Sequence, residues 1–269
     1  MPELPEVESV VRTLKKDIIG KKINNVVIRY EDMFNCPVSY FKDNVIGHTF
    51  TNITRKGKFI IFHLENDTFI ISHLRMEGKY FYLPKNSIDN KHIHVIFELG
   101  DYNLYYQDVR KFGIMDFKTK DELFSTKPLS DVANDPLEGV NREEVLSKLK
   151  KKKNTIKEAL LDQSIISGLG NIYVDEVLFK SHILPTRLSN TISEKELRDI
   201  LDYSKEIFLE SIKLGGTTIK SFTVSLNHSG AYQNNLLVHT KSVCPVCNNN
   251  LTIIKIGGRS TYYCASCQK

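Results

Sequence analysis

The sequence predicts an α+β protein of several domains. These are a β-rich N-terminal domain carrying one helix at its start, a helical domain, and a small C-terminal hairpin holding four cysteines. Three observations carry this. Residues 22–118 are dominated by short β-branched and aromatic runs split by Gly, Asn, Asp or Pro. From residue 141 onward, capped amphipathic segments take over. Four of the five cysteines fall within the last 26 residues, so they mark a local site rather than a disulfide framework.

Composition sets the outer limits. The 269 residues suffice for one large domain or two to three ordinary ones, and a hydrophobic content of 41% supports a genuine core. No apolar run approaches the roughly 18–20 residues of a membrane span. The acidic N-terminus lacks a secretory signal pattern. A soluble cytoplasmic protein without a membrane partner is expected. A formal charge of +5 is mild, so the position of the basic residues matters more than their excess.

Taken in order, PEVESVVRTLKKDIIG reads as a helix. Val7, Val10, Val11, Leu14 and Ile18 recur at helical spacing, Pro5 suits the first turn and Gly20 suits the stop. Successive strands follow without intervening helices, which suggests an antiparallel sandwich or barrel. KPLSDVANDPLE is a polar connector. Beyond it come four helical segments, with cap signals at Asn141 and Ser193 and a glycine stop at Gly215-Gly216. The expected division is 1–126, a linker at 127–140, a helical domain at 141–225, and 226–269 for a polar loop and the cysteine hairpin.

The tail contains Cys244, Cys247, Cys264 and Cys267 as two C-x-x-C pairs with sixteen residues between them. Each pair brings two thiolates onto one ion from a tight turn, and two pairs complete a tetrahedral shell for Zn2+. One structural zinc is expected, holding a finger too small for a core of its own. TIIKI and TYY would be its two strands, and Gly257-Gly258-Arg259 the tip. Arg259 fits a phosphate-binding cation there and equally fits a solvated turn residue.

Gly168 and Gly170 precede the helix of NIYVDEVLF, with Asn171 expected at its N-cap. Such a corner can bind an anion, or can be a tight turn between helices. Five lysines in the six positions 148–153 lie just upstream. Basic run, glycine corner and finger in one half of the chain favour a nucleic-acid backbone as partner. At the front, removal of Met1 would leave Pro2 as a secondary amine, neutral often enough at physiological pH to attack an electrophilic carbon. Glu3 is adjacent and Glu6 three residues on. On charge pattern alone, both also suit simple complementation of the helix dipole.

MPELPEVE, GLGNIYVDE and the four-cysteine tail with GRSTYYC together resemble the bacterial formamidopyrimidine-DNA glycosylases, across essentially the whole chain and in the same order. The resemblance implies a β-sandwich bearing the N-terminal helix, a helix–two-turn–helix domain and a zinc finger, with damaged double-stranded DNA in the cleft between lobes and a monomer as the working unit. It implies excision of oxidised purines through a Schiff base, then strand nicking by β- and δ-elimination. Leu4 separates the chain from endonuclease VIII-like relatives, which typically begin P-E-G-P-E.

Site roles follow residue by residue from the same resemblance. Pro2 corresponds to the nucleophile, Glu3 to the acid/base that promotes sugar-ring opening, and Glu6 to a supporting acid. Lys58 corresponds to the lysine of proton transfer and phosphate contact, and Arg259 to the finger arginine of δ-elimination. His73 and Asn171 match further members of the phosphate cluster, while His92, Arg110 and Lys152 match DNA contacts. Met76, Arg110 and Phe112 match the side chains that fill the gap left by a flipped nucleotide. DVRKFG departs from the family's usual D-P-R-R-F-G: the proline is absent and Lys111 replaces the second arginine. The loop within TTIKSFTVSLNHSGAYQNN corresponds to the region that caps the flipped base, and no base-reading residue is assigned in it.

Overall fold

The structure, a computed structural model, describes residues 1–217 and 230–269; most of the expected capping loop lies outside those residues. The chain divides into two compact units. The first holds residues 1–130 with the described residues 215–217 and 230, and the second holds 131–214 and 231–269.

The first unit opens with α1 (Leu4–Ile18), whose N-cap is Glu3 and whose first turn contains Pro5. The expected stripe Val7, Val10, Val11, Leu14 and Ile18 is buried in full. Gly20 ends the run with a left-handed torsion (φ 78°) that a side chain would resist. Eight strands follow: β1 (Asn25–Ile28), β2 (Phe50–Lys56), β3 (Phe59–Leu64), β4 (Thr68–His73), β5 (Lys79–Pro84), β6 (Ile93–Leu99), β7 (Tyr102–Gln107) and β8 (Ile114–Thr119). They form two separate antiparallel sheets, ordered β1-β6-β7-β5 and β2-β3-β4-β8, which decides for a sandwich over a barrel.

Alternation along each strand builds the core. Leu104 and Tyr106 of β7 face inward with Val95 and Phe97 of β6 and meet Phe62, Ile70 and Phe117 from the other sheet. Tyr105, between them, instead joins Phe81, Ile93 and Ile96 in a smaller cluster. The strand-only expectation needs one correction. A short helix, α2 (Val38–Val45), stands between β1 and β2. Phe41 and Val45, one turn apart, are both fully buried, so burial of one helical face outweighs the weak periodicity of eight residues.

The second unit holds α3 (Arg142–Lys151), α4 (Ile156–Leu161), α5 (Asn171–Lys180), α6 (Glu194–Lys213) and a hairpin of β9 (Thr252–Ile256) and β10 (Arg259–Tyr263). Asn141 caps α3 by accepting from the Glu144 amide at 3.1 Å. Full capping boxes begin α4, from Thr155 and Glu158, and α6, from Ser193 and Glu196. Helix α5 packs on α4, α6 and β10, so the hairpin and the helices share one body. No helix among the described residues is long and apolar enough to cross a membrane.

Candidate active site and nucleic-acid interface

At the front of the first unit Pro2 is buried, and Glu3 and Glu6 are each only 2% exposed. The two acids share a capping box: Glu6 Oε2 accepts the Glu3 N–H at 2.9 Å, and the Glu3 carboxylate faces the Glu6 amide. The other Glu6 oxygen, Oε1, accepts from the Thr217 N–H (2.7 Å) and its hydroxyl (3.0 Å). Gly216 has to be glycine here. Its φ is 84°, and a Cβ would stand 2.9 Å from Glu6 Oε1. Both Glu6 oxygens are thus committed, Oε2 to the Glu3 amide and Oε1 to residue 217.

Sheet register brings Lys58 and His73 together. Lys58 sits in the β2–β3 turn after Gly57, and its neighbour Phe59 pairs with His73 at the end of β4. Both are buried. The His73 ring meets Phe59 edge-on at 4.5 Å, and its Nδ1 accepts the Arg75 N–H at 2.9 Å. That leaves the ring proton on Nε2. Burial first, and then the charges of Arg75 and Lys58, push the His73 pKa down to about 3. His73 thus presents a neutral N–H donor beside a lysine, a combination suited to one phosphate oxygen.

The side chains expected to fill the gap, Met76, Arg110 and Phe112, stand on two loops. Met76 is 38% exposed and Phe112 52% exposed, and they line one depression with Met1, Arg75 and Ile114. The Arg110 guanidinium lies 4.9 Å from the Phe112 ring centre. Sequence reasoning missed the residue that shapes this loop. Asp108 is buried and accepts from Arg110 N–H (2.9 Å), Phe112 N–H (2.9 Å) and Gly113 N–H (2.8 Å). The aspartate two residues before Arg110 is an Asx-turn signal that would have found it. Lys111 takes the left-handed torsion (φ 57°) and places its ammonium 4.6 Å over the Tyr30 ring. His92 adjoins the same loop, its carbonyl accepting the Asp108 N–H at 3.0 Å.

In the second unit, the four Cys Sγ atoms lie within 4.8 Å of one another, with Cys244–Cys267 at 3.8 Å and Cys247–Cys264 at 3.5 Å. A tetrahedron of Zn–S bonds near 2.3 Å has edges of about 3.8 Å, so the residues fit the ion. Gly257 (φ 54°) and Gly258 (φ 76°) form the hairpin turn, and Arg259, the first residue of β10, is exposed. Asn171 is not the N-cap of α5. Gly170 takes that place with an extended backbone, freeing Asn171 to reach out of the first turn. Its Nδ2 donates to Ser260 O at 2.9 Å, which sets it beside Arg259. Lys152 stands apart from this pair, bound to Asp162 at 2.9 Å.

A buried network fixes the hairpin from behind, and sequence reasoning missed it too. Lys157 and Asp175, both wholly buried, meet at 2.7 Å. Lys157 also donates to Ser260 O at 3.3 Å. Asp175 Oδ2 accepts from His239 Nδ1 (2.8 Å) and the Tyr262 N–H (3.2 Å). Glu176 accepts the backbone N–H groups of Leu237, Val238 and His239. The only sequence trace was charge on the apolar face of short helices.

Three family profiles match in this order: the formamidopyrimidine-DNA glycosylase N-terminal domain at residues 1–115, the H2TH domain of the same enzymes at 132–223, and a zinc finger found in FPG and IleRS at 241–269. Formamidopyrimidine-DNA glycosylase of Listeria monocytogenes is 39% identical over the full length of both chains. The chain belongs to the formamidopyrimidine-DNA glycosylase family. Another relative, from Mycoplasma mobile, is 42% identical, over all of this chain and 99% of that one. Among solved structures, the wild-type Lactococcus lactis enzyme with DNA containing an N7-benzyl-Fapy-dG matches with a TM-score of 0.93 at 38% identity. The same enzyme with abasic-site DNA matches at 0.91 and 36% identity, and both matches cover 100% of each chain. The fold expected from the resemblance is thus the family's own, and the four cysteines are its structural zinc finger.

Proposed function

We propose that the chain, as a DNA glycosylase and AP lyase of this family, removes 8-oxoguanine and formamidopyrimidines from duplex DNA through Pro2. The observation that carries the reading is the N-terminal corner, where Pro2 is buried beside Glu3 and a fully committed Glu6 fixes the backbone. Once Met1 is removed, the Pro2 nitrogen lone pair attacks C1′. The N-glycosidic bond breaks, and the base leaves with its bonding electrons and takes up a proton. Glu3 delivers a proton to the ring oxygen, opening the sugar as the iminium forms.

Loss of a C2′ proton then expels the 3′ phosphate, and a second elimination expels the 5′ phosphate. Lys58 serves proton transfer and phosphate binding, and Arg259 the second elimination. His73 and Asn171 add neutral donors to phosphate oxygens, which fits the neutral His73 ring. His92, Arg110 and Lys152 contact the backbone or bases. Met76, Arg110 and Phe112 replace the stacking of the flipped nucleotide. Residues 1–126 hold Pro2, Glu3 and Lys58 together with His73, Met76, His92, Arg110 and Phe112, 141–225 with the finger add Lys152, Asn171 and Arg259, and the zinc ion holds the finger's shape without entering a bond change.

Borohydride trapping on an 8-oxoguanine duplex tests this. A covalent adduct mapped to Pro2 is expected, together with faster excision from 8-oxoguanine than from thymine glycol. A Met1-processed protein that forms no adduct, or an unaltered Pro2→Gly variant, would overturn the mechanism.

A further inference from the structure

The two loops that carry Met76 and Phe112 meet at one buried residue, Tyr106. Tyr106 lies on β7 in register with Tyr80 on β5, and its ring packs 5.0 Å from that of Tyr80, wholly buried. Its hydroxyl emerges where the loops pinch together. A Cβ added to Gly78, at the end of the Met76 loop, would overlap that oxygen, and so would one added to Gly113, at the end of the Phe112 loop. Neither glycine has a left-handed torsion, so space rather than backbone strain requires them. Each loop is closed on its own side of the hydroxyl, Gly78 N–H on Leu74 O (2.9 Å) and Gly113 N–H on Asp108 (2.8 Å). The Tyr106 hydroxyl itself has no hydrogen-bond partner among the described residues.

From this wedge between two glycines we infer that Tyr106 is a positioning residue. It makes the Met76 and Phe112 loops move as one body, so that both side chains enter the duplex together. Close packing supports such coupling, because neither loop can shift toward the other without displacing the same oxygen. The inference rests on the gap-filling role proposed above for Met76 and Phe112.

The test is a double-mutant cycle. Single-turnover excision is measured on a duplex holding 8-oxoguanine opposite cytosine, using Met76→Ala, Phe112→Ala and both, in the wild-type and Tyr106→Phe backgrounds. In the wild type, the double variant should be about threefold to tenfold faster than the product of the two single losses implies. In Tyr106→Phe the losses should multiply, while the melting temperature stays unchanged or rises because no hydrogen bond is lost. Gly113→Ala probes the wedge from the other side. It should reduce the Met76-dependent fluorescence change of a 2-aminopurine next to the lesion. Coupling that persists unchanged in Tyr106→Phe overturns the inference, as does an activity loss that merely parallels a fall in melting temperature. If neither alanine variant slows excision, the gap-filling role fails first and takes the inference with it.

Discussion

The N-terminal corner and the finger hairpin hold their functional residues by opposite means. At the corner, restraint begins locally: Glu3 and Glu6, three residues apart, cap the helix that carries them, and Glu6 also reaches Thr217. At the hairpin, restraint is long-range. Arg259 has little near it in sequence, and its strand is fixed by Lys157, Asp175 and Asn171 from other helices and by four thiolates. A residue at a chain end needs its backbone fixed next to it. A cation on a glycine turn needs an anchor from elsewhere, because two glycines supply none.

Blocking the corner should have the largest effect. An N-terminal extension left in place should reduce turnover by roughly 10^4-fold or more while leaving lesion-DNA affinity intact; measurable multiple turnover with an intact extension would break the contrast. Zinc removal should act only on the hairpin. Chelation should release about one ion per chain and melt the finger, since structural zinc supplies about 10–16 kcal/mol in isolated fingers, while the circular dichroism of the sandwich persists. A tail that stays folded without metal would refute the long-range account.

Asp175→Ala, which leaves the buried Lys157 without its carboxylate partner, should cost about 3–5 kcal/mol in denaturant unfolding. The paired Lys157→Met, Asp175→Leu variant should recover most of it. Stability recovered without Arg259-dependent δ-elimination would separate the network's positioning role from its contribution to stability.

The smallest effect concerns acid. His73 takes its proton near pH 6.5 in the unfolded chain and near 3 in the fold. Above 6.5 both states are neutral and nothing changes. As pH falls from 6.5 toward 3, the unfolded chain gains a proton that the fold refuses. Stability should then drop by up to about 1.4 kcal/mol per pH unit. Melts from pH 7 to 4.5 should show a shallower decline in His73→Gln, and an identical slope would place the burdened group elsewhere.

The same contrast explains what could be read early. The α1 stripe, the caps at Asn141 and Ser193, the Gly-Gly turn and the cysteine pairs all depend on neighbours within a few residues, so their pattern survives in the linear chain. Asp108 was half legible, since its Asx turn is local but its burial is not. Helix α2 lacked the length to show a period. Asn171 went to the wrong helix position because only the extended Gly170 backbone decides between N-cap and first turn.

By itself the sequence determined the helix at the front, the strands that follow, the thiolate shell and, through MPELPEVE and GLGNIYVDE, the family. Only the tertiary structure decided the strand order within the two sheets, that Glu6 reaches residue 217, that His73 stays neutral, and that Tyr106 stands between two loops. The physical reason is sequence separation. Spacing records interactions between residues that the backbone already holds close, whereas burial and distant hydrogen bonds exist only after the chain has folded.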